Sequence, residues 1–235
     1  MSPAIWGSIT AVSWGSADFI ARFTGQRLGL MTALCGMMSA SCLLLLAYAF
    51  ASGMPWVFEG AEPWAPLGAG VFIVVGTLLL YLGLMRGPIS VVSPIVAAYP
   101  VFSLAFAVVG GVRPELLQWV SMGVVMLGVV LVARYGGEAD EAARNAPGGL
   151  PATVAISLAA AFTFALGIWF LQRAQVVWGE LQCLIVIRVI GVMATAAVLL
   201  AVPRSRQPVP LGWWPILALQ GLLDGGAYLA LQAGT

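Results

Sequence analysis

The chain has no histidine and no lysine, and only 8% of its 235 residues are charged. A soluble domain would carry roughly a quarter. Without histidine there is no Ser–His dyad, no His-ligated metal and no HExxH-type site; without lysine there is no Schiff-base chemistry. The three cysteines, Cys35, Cys42 and Cys183, are widely separated within apolar runs and fit neither a disulfide framework nor a metal-ligand spacing. Net charge is +1 and all ten cations are arginines, with no basic tract of the kind that binds nucleic acid. No basic region precedes the first apolar run, so the sequence does not predict a cleavable signal peptide. No enzyme activity and no cofactor are expected.

What remains is 61% hydrophobic. Eight apolar segments cover about 4–21, 30–52, 65–85, 89–110, 115–135, 151–171, 181–202 and 212–232. Each is long enough, at about 1.5 Å per residue, to cross a hydrocarbon core of about 30 Å. The expected fold is an all-α polytopic membrane protein of about eight transmembrane helices. The one long connection, from Arg134 to Leu150, is polar and glycine-rich and reads as a linker between two halves.

The halves echo each other. Tyr81-Leu-Gly-Leu-Met-Arg-Gly87 returns as Tyr228-Leu-Ala-Leu-Gln-Ala-Gly234. Phe19-Ile-Ala-Arg22 matches Phe170-Leu-Gln-Arg173, and Trp64-Ala-Pro66 matches Trp213-Trp-Pro215, all at an offset of roughly 150 residues. Matches in one order at one offset predict a duplicated five-helix unit: 1–135 as the first repeat, 136–150 as linker, and 151–235 as the first three helices of a second. The equivalent of 88–135 is not found in the second half, which predicts an exposed face where those helices would pack. An odd number of crossings inverts the second copy, as in inverted-repeat transporters, whose substrate sites lie near the midplane.

Other motifs point to a family. Trp14-Gly-Ser-Ala-Asp-Phe19 resembles the Trp-Gly-x-x-Phe signature of EamA-type members of the drug/metabolite transporter superfamily. Gly87-Pro-Ile-Ser-Val-Val-Ser-Pro-Ile-Val-Ala-Ala-Tyr-Pro-Val-Phe102 resembles the family's fourth helix, and Gly123, Gly128 and the following Val-Val-Leu-Val132 its fifth. The resemblance implies a ten-helix transporter of small metabolites, built from two inverted repeats. Two features depart from the pattern: the Gly-Glu-Arg turn appears as Gly111-Val-Arg-Pro-Glu115, and the loop charges favour an external N-terminus where many relatives keep both termini inside.

Ionisable groups deep in a bilayer are costly and mark functional sites by default. Arg188 lies about 10 Å into the seventh segment and Asp224 about 18 Å into the antiparallel eighth, placing both at nearly one depth. They can pair. Asp224 is then a proton or cation site, with Arg188 its partner or the anchor of a substrate carboxylate; the alternative is a purely structural ion pair. Asp224 sits within Gly221-Leu-Leu-Asp-Gly-Gly226, where glycines four apart permit close helix approach. Pro94 and Pro100 remove backbone donors and should bend or unwind the fourth segment, to which Ser90, Ser93 and Tyr99 contribute polar atoms. Trp14, Tyr81, Trp169 and Tyr228 are candidate aromatic walls, although Trp and Tyr are also ordinary interface residues. Asp18, four residues before Arg22, reads as a surface i,i+4 pair.

The candidate substrate site is therefore Trp14, Tyr81, Ser93, Tyr99, Arg188, Asp224 and Tyr228, with no catalytic or metal-binding residue. The expected function is transport of a small-molecule substrate, by export or as a permease, through alternating access in a lipid bilayer. The expected location is a bacterial inner membrane, with proton coupling and a homodimer left open. The alternative is a non-transporting or truncated membrane protein that needs a partner or further helices.

Loops after the odd-numbered spans carry Arg22, Arg27, Arg86, Arg134, Arg144, Arg204 and Arg206, against Arg113 and Arg173 on the other face with Glu59, Glu62, Glu115 and Glu180. The positive-inside rule places the arginine-rich face in the cytoplasm. A fluorescent protein inserted into the 136–150 linker is expected to light up in the cytoplasm. A dark linker fusion, with an active alkaline phosphatase fusion there, would reverse this topology.

Overall fold

The computed structural model describes residues 3–57, 64–135, 149–202 and 205–233, apart from the side chains of 3, 4, 132–135 and 232. Among the described residues it is all helix: α1 (Pro3–Leu28), α2 (Leu30–Ser52), α3 (Trp64–Arg86), α4 (Ile89–Ala97), α5 (Tyr99–Val109), α6 (Leu116–Tyr135), α7 (Gly149–Trp178), α8 (Glu180–Ala201) and α9 (Trp214–Ala233). By length and composition, five segments can cross a membrane: Leu30–Ser52, Trp64–Arg86, Ile89–Val109, Gly149–Trp178 and Glu180–Ala201. α1 and α9, which carry the polar residues described below, fall outside that set. All eight expected segments are helical, the fourth as the two pieces α4 and α5.

Two boundaries differ from expectation. α1 runs to Leu28 rather than 21, and α7 to Trp178 rather than 171. Both helices run on to a glycine of positive φ, Gly29 and Gly179, so Arg22, Arg27 and Arg173 belong to helices and not to loops. The fourth span breaks at Ala98, whose ψ of 7° leaves the helical range. Pro94 and Pro100 explain the break, because neither has an N–H to bond the carbonyl four residues before it. The linker residues 136–148, with Arg144, and also Arg204, Glu59, Glu62 and Gly234 lie outside the described residues.

The five most extensive helix interfaces all join the first half to the second: α3 with α7 and α8, α1 and α2 with α9, and α2 with α8. Exchanging α1 with α7, α2 with α8 and α3 with α9 turns this set into itself. Finer geometry obeys the same exchange. A single glycine joins α1 to α2 and another joins α7 to α8: Gly29 at φ 76°, ψ 152° and Gly179 at φ 72°, ψ 160°, a conformation that side-chain-bearing residues rarely adopt. Each junction is tied to the loop of the other half. The Gln207 amide donates to Thr32 Oγ1 at 3.4 Å, while Gln182 accepts from the Val57 N–H at 2.9 Å and donates to its carbonyl at 2.5 Å. Thr32 and Gln182 are 150 residues apart, as are Val57 and Gln207.

Lipid tails are as apolar as leucine, so such helices associate through close packing rather than expulsion of water. Glycines supply the closeness. A Cβ on Gly221 would lie 2.5 Å from Ala40 Cβ, 2.6 Å from the Met37 carbonyl and 2.8 Å from the Ser41 nitrogen, so α9 rests backbone-on-backbone against α2. Gly225 meets Ser41 and Leu44 one turn further on, whereas Gly226 faces open space. Two buried clusters flank the middle of the bundle, one around Leu34, Met38, Leu84 and Val92, the other around Leu45, Ile73, Leu184 and Ile187.

α1 and α7 are not covered equally. α4 and α5 pack on α7, with Phe102 and Phe106 edge-on to Phe162. The corresponding side of α1 leaves Val12 and Phe19 exposed, with nothing within 4 Å of Gly7 or Gly15.

Gly221→Ala is expected to cost about 1–3 kcal/mol by overpacking against α2, while Gly226→Ala is neutral. Thermal unfolding of the two variants in detergent would decide; equal melting temperatures would refute the backbone contact.

Candidate functional site

α1 turns one stripe inward: Thr10, Trp14, Ala17, Ala21 and Thr24 follow the three- and four-residue spacing of a helix face. α9 answers with Leu217, Gln220, Gly221, Asp224, Ala227 and Tyr228. Where these stripes meet α2, α3, α4 and α8, the bundle collects its interior polar groups.

Arg188 is the largest of the fully buried side chains, at 2% exposure. Its Nη2 lies 2.5 Å from Asp224 Oδ2, whose side chain is 15% exposed. Ser41 on α2 donates to the same carboxylate oxygen at 3.1 Å, adding a contact from the first half of the chain. The guanidinium carbon sits 4.9 Å from the Tyr228 ring centroid, within cation–π range. Trp14 meets that ring edge-on at 5.1 Å. Arg188 Nε is buried and makes no hydrogen bond.

Two further groups extend the cluster. Gln220 donates to the Tyr81 hydroxyl, and Thr24 donates to the Gln220 side-chain oxygen at 3.0 Å, which links α1, α9 and α3. Asp18 accepts a 3.3 Å hydrogen bond from Ser93 on α4. Tyr81 lies within electrostatic reach of Asp18, Asp224 and Arg188, and Tyr99 within reach of Tyr228.

All seven candidates thus fall in or beside one polar cluster, and the depth-matched Arg188–Asp224 pair forms. Asp18 is corrected: it is a half-buried group bonded to α4, not part of a surface pair with Arg22. With α1 extending to Leu28, it lies ten residues from the helix end instead of three from the expected one. Trp169 stands apart from the cluster, edge-on to Phe170 with Arg173 stacked 3.4 Å over its ring. Ser41, Thr24 and Gln220 were not singled out from sequence. A small polar residue in an apolar helix has no distinguishing signal until its neighbour is known.

Two cavities of about 570 and 410 Å³ open elsewhere, and none of the seven candidates lines either. Among the described residues no group of His, Cys, Asp or Glu could hold a metal ion.

A broken fourth span, glycine-packed halves and buried charges in a polytopic bundle are features of a transporter, and comparison with known families agrees. The model of the EamA-like transporter family matches residues 1–134. The chain belongs to that family. It is an integral multi-pass membrane protein of the drug/metabolite transporter superfamily, whose members are transporters and not enzymes. No curated protein sequence matches it.

Removing one partner of a buried ion pair leaves the other uncompensated, at about 3–5 kcal/mol. Arg188→Met is expected to lower stability by about that amount, and Arg188→Met with Asp224→Leu to recover most of it. Unfolding by intrinsic fluorescence would read both; a double variant no better than the single one would show that the two residues are not coupled.

Proposed function

We propose that this protein moves a small polar metabolite across the membrane by alternating access between inverted repeats, 1–135 and 151–235, with the Arg188–Asp224 pair as the element that substrate binding opens. The observation that carries the reading is that pair. Its ends come from consecutive antiparallel helices, it is braced by Ser41 from the other half, and its guanidinium retains one unused donor. A polar substrate can compete for Arg188 or Asp224 and loosen the contact of α9 with α2. The exchange symmetry of the interfaces supports this: one set of contacts can open on one face while its counterpart closes on the other.

Asp18 carries the coupling in this reading. Asp224 is neutralised by a guanidinium, while the hydrogen bond to Asp18 comes from a neutral hydroxyl. A carboxylate in an apolar interior needs a counter-charge, and a proton or the cationic end of a substrate supplies it. Occupancy at Asp18 then alters its tie to α4 beside the break at Ala98. The bacterial inner membrane is the setting we assign.

A structural ion pair is the competing reading, and the closed packing around Arg188 favours it. The two separate in cells expressing the full chain, by untargeted measurement of metabolites retained or exported and by resistance to toxic analogues. Asp224→Asn and Asp18→Asn are each expected to reduce the chain-dependent flux, per unit of protein in the membrane, at least tenfold. Undiminished flux in both variants would leave the polar cluster as scaffold only.

A further inference from the structure

The cavity of about 410 Å³ lies between α3, α5 and α7 and is lined by Phe72, Phe106, Leu166, Trp169, Phe170 and Arg173, with Val109 and Gly110 at its edge. It is separate from the Arg188–Asp224 cluster. On α7, Phe162, Leu166, Trp169 or Phe170, and Arg173 recur at helical spacing, so one stripe runs from beneath α5 to an exposed arginine. Along the cavity itself, the seven residue steps from Leu166 to Arg173 at about 1.5 Å each give about 10 Å, against about 15 Å for half of a 30 Å hydrocarbon core. The groove therefore covers about two thirds of one leaflet.

Its chemistry is divided along that length. The inner part is aromatic and aliphatic, with Phe72 stacked on Phe170 at 5.4 Å. At the outer end Arg173 lies flat over the Trp169 ring at 3.4 Å, and its Nη1 donates to the Trp169 carbonyl at 3.2 Å. Ring face and carbonyl fix the guanidinium without a carboxylate and leave its remaining N–H groups directed by the ring plane. Val109, 88% exposed, leaves the side of the groove open to the surrounding bilayer.

We infer that this groove binds one anionic phospholipid, its phosphate on Arg173 and an acyl chain along Phe72, Phe106, Leu166 and Phe170. A free phosphate would use Arg173 alone and have no need of the aromatic floor. A neutral lipid would use the floor alone. Charge at the mouth and apolar length behind it fit an amphiphile with an anionic head. Such a lipid would seat the outer end of α5 against α3 and α7.

The test uses the full chain in detergent–lipid micelles, with phosphatidylglycerol, phosphatidylcholine and inorganic phosphate as probes and native mass spectrometry as readout. The wild type is expected to retain one phosphatidylglycerol in preference to phosphatidylcholine. One arginine near a membrane surface contributes about 1 kcal/mol, so Arg173→Gln should weaken that preference about fivefold, and Arg173→Lys should keep most of it. Leu166→Trp, which fills the groove and leaves the charge, should also abolish retention. Asp224→Asn should leave retention unchanged, so failure here and failure of the transport reading are distinguishable. Equal retention of both lipids by the wild type, or retention unaffected by Arg173→Gln, would overturn the assignment. Competition by inorganic phosphate with no effect of Leu166→Trp would replace the lipid by a simple anion site.

Discussion

A guanidinium at 2% exposure inside a membrane bundle has to be neutralised by the bundle itself, and Asp224 at 2.5 Å is what does it here. Much of the local architecture answers to that requirement. α8 and α9 must run antiparallel at a register that brings residues 188 and 224 to one depth. α9 must approach α2 closely enough for Ser41 to reach the carboxylate, and Gly221 and Gly225 are the residues that permit it. Tyr228 closes the other side of the cation, and Trp14 holds Tyr228. Low dielectric strengthens each of these contacts and penalises the loss of any one. The polar centre is therefore a positioning device for four helices as well as a candidate binding site.

The symmetry of the scaffold and the asymmetry of its chemistry belong together. The offset that pairs Gly29 with Gly179 sets Met38 against Arg188, and the offset that pairs Tyr81 with Tyr228 sets Thr77 against Asp224. Met38 is buried and meets Gly191, while Thr77 returns its hydroxyl to the Ile73 carbonyl within its own helix. One half thus carries an ion pair where the other carries a thioether and a self-satisfied hydroxyl. Two conformations related by exchanging the halves would be alike in backbone and unlike in energy, because a single pair is strengthened in one and strained in the other. A ligand that engages the pair can then bias the balance.

The helices and their order were legible because they rest on period and length, which a bilayer enforces. Arg188 and Asp224 were legible for the same reason: helical rise converts sequence position into depth. Asp18 was misread through a boundary. Ending the first helix at 21 put Asp18 near a surface, whereas the helix continues through Gly25 to the positive-φ Gly29. Gln220 was invisible for a different cause. Its partners, Tyr81 and Thr24, stand 139 and 196 residues away, and no local pattern records a contact between helices.

The break at Ala98 is best understood alongside Asp18. A continuous helix over 89–109 would fix Ser93 and Phe102 in one rigid rod, so any movement at the polar cluster would drag the α5–α7 contact with it. Two prolines divide the rod instead. α4 packs on α7 and α3 and reaches the Asp18 carboxylate, while α5 rests on Phe162 of α7 through Phe102 and Phe106. Within the proposed cycle, α4 can respond to the charge state of Asp18 at the cost of a backbone rotation near one residue, without repacking the aromatic seat of α5. A fourth span free of Pro94 and Pro100 would couple the two sites rigidly and lose that independence.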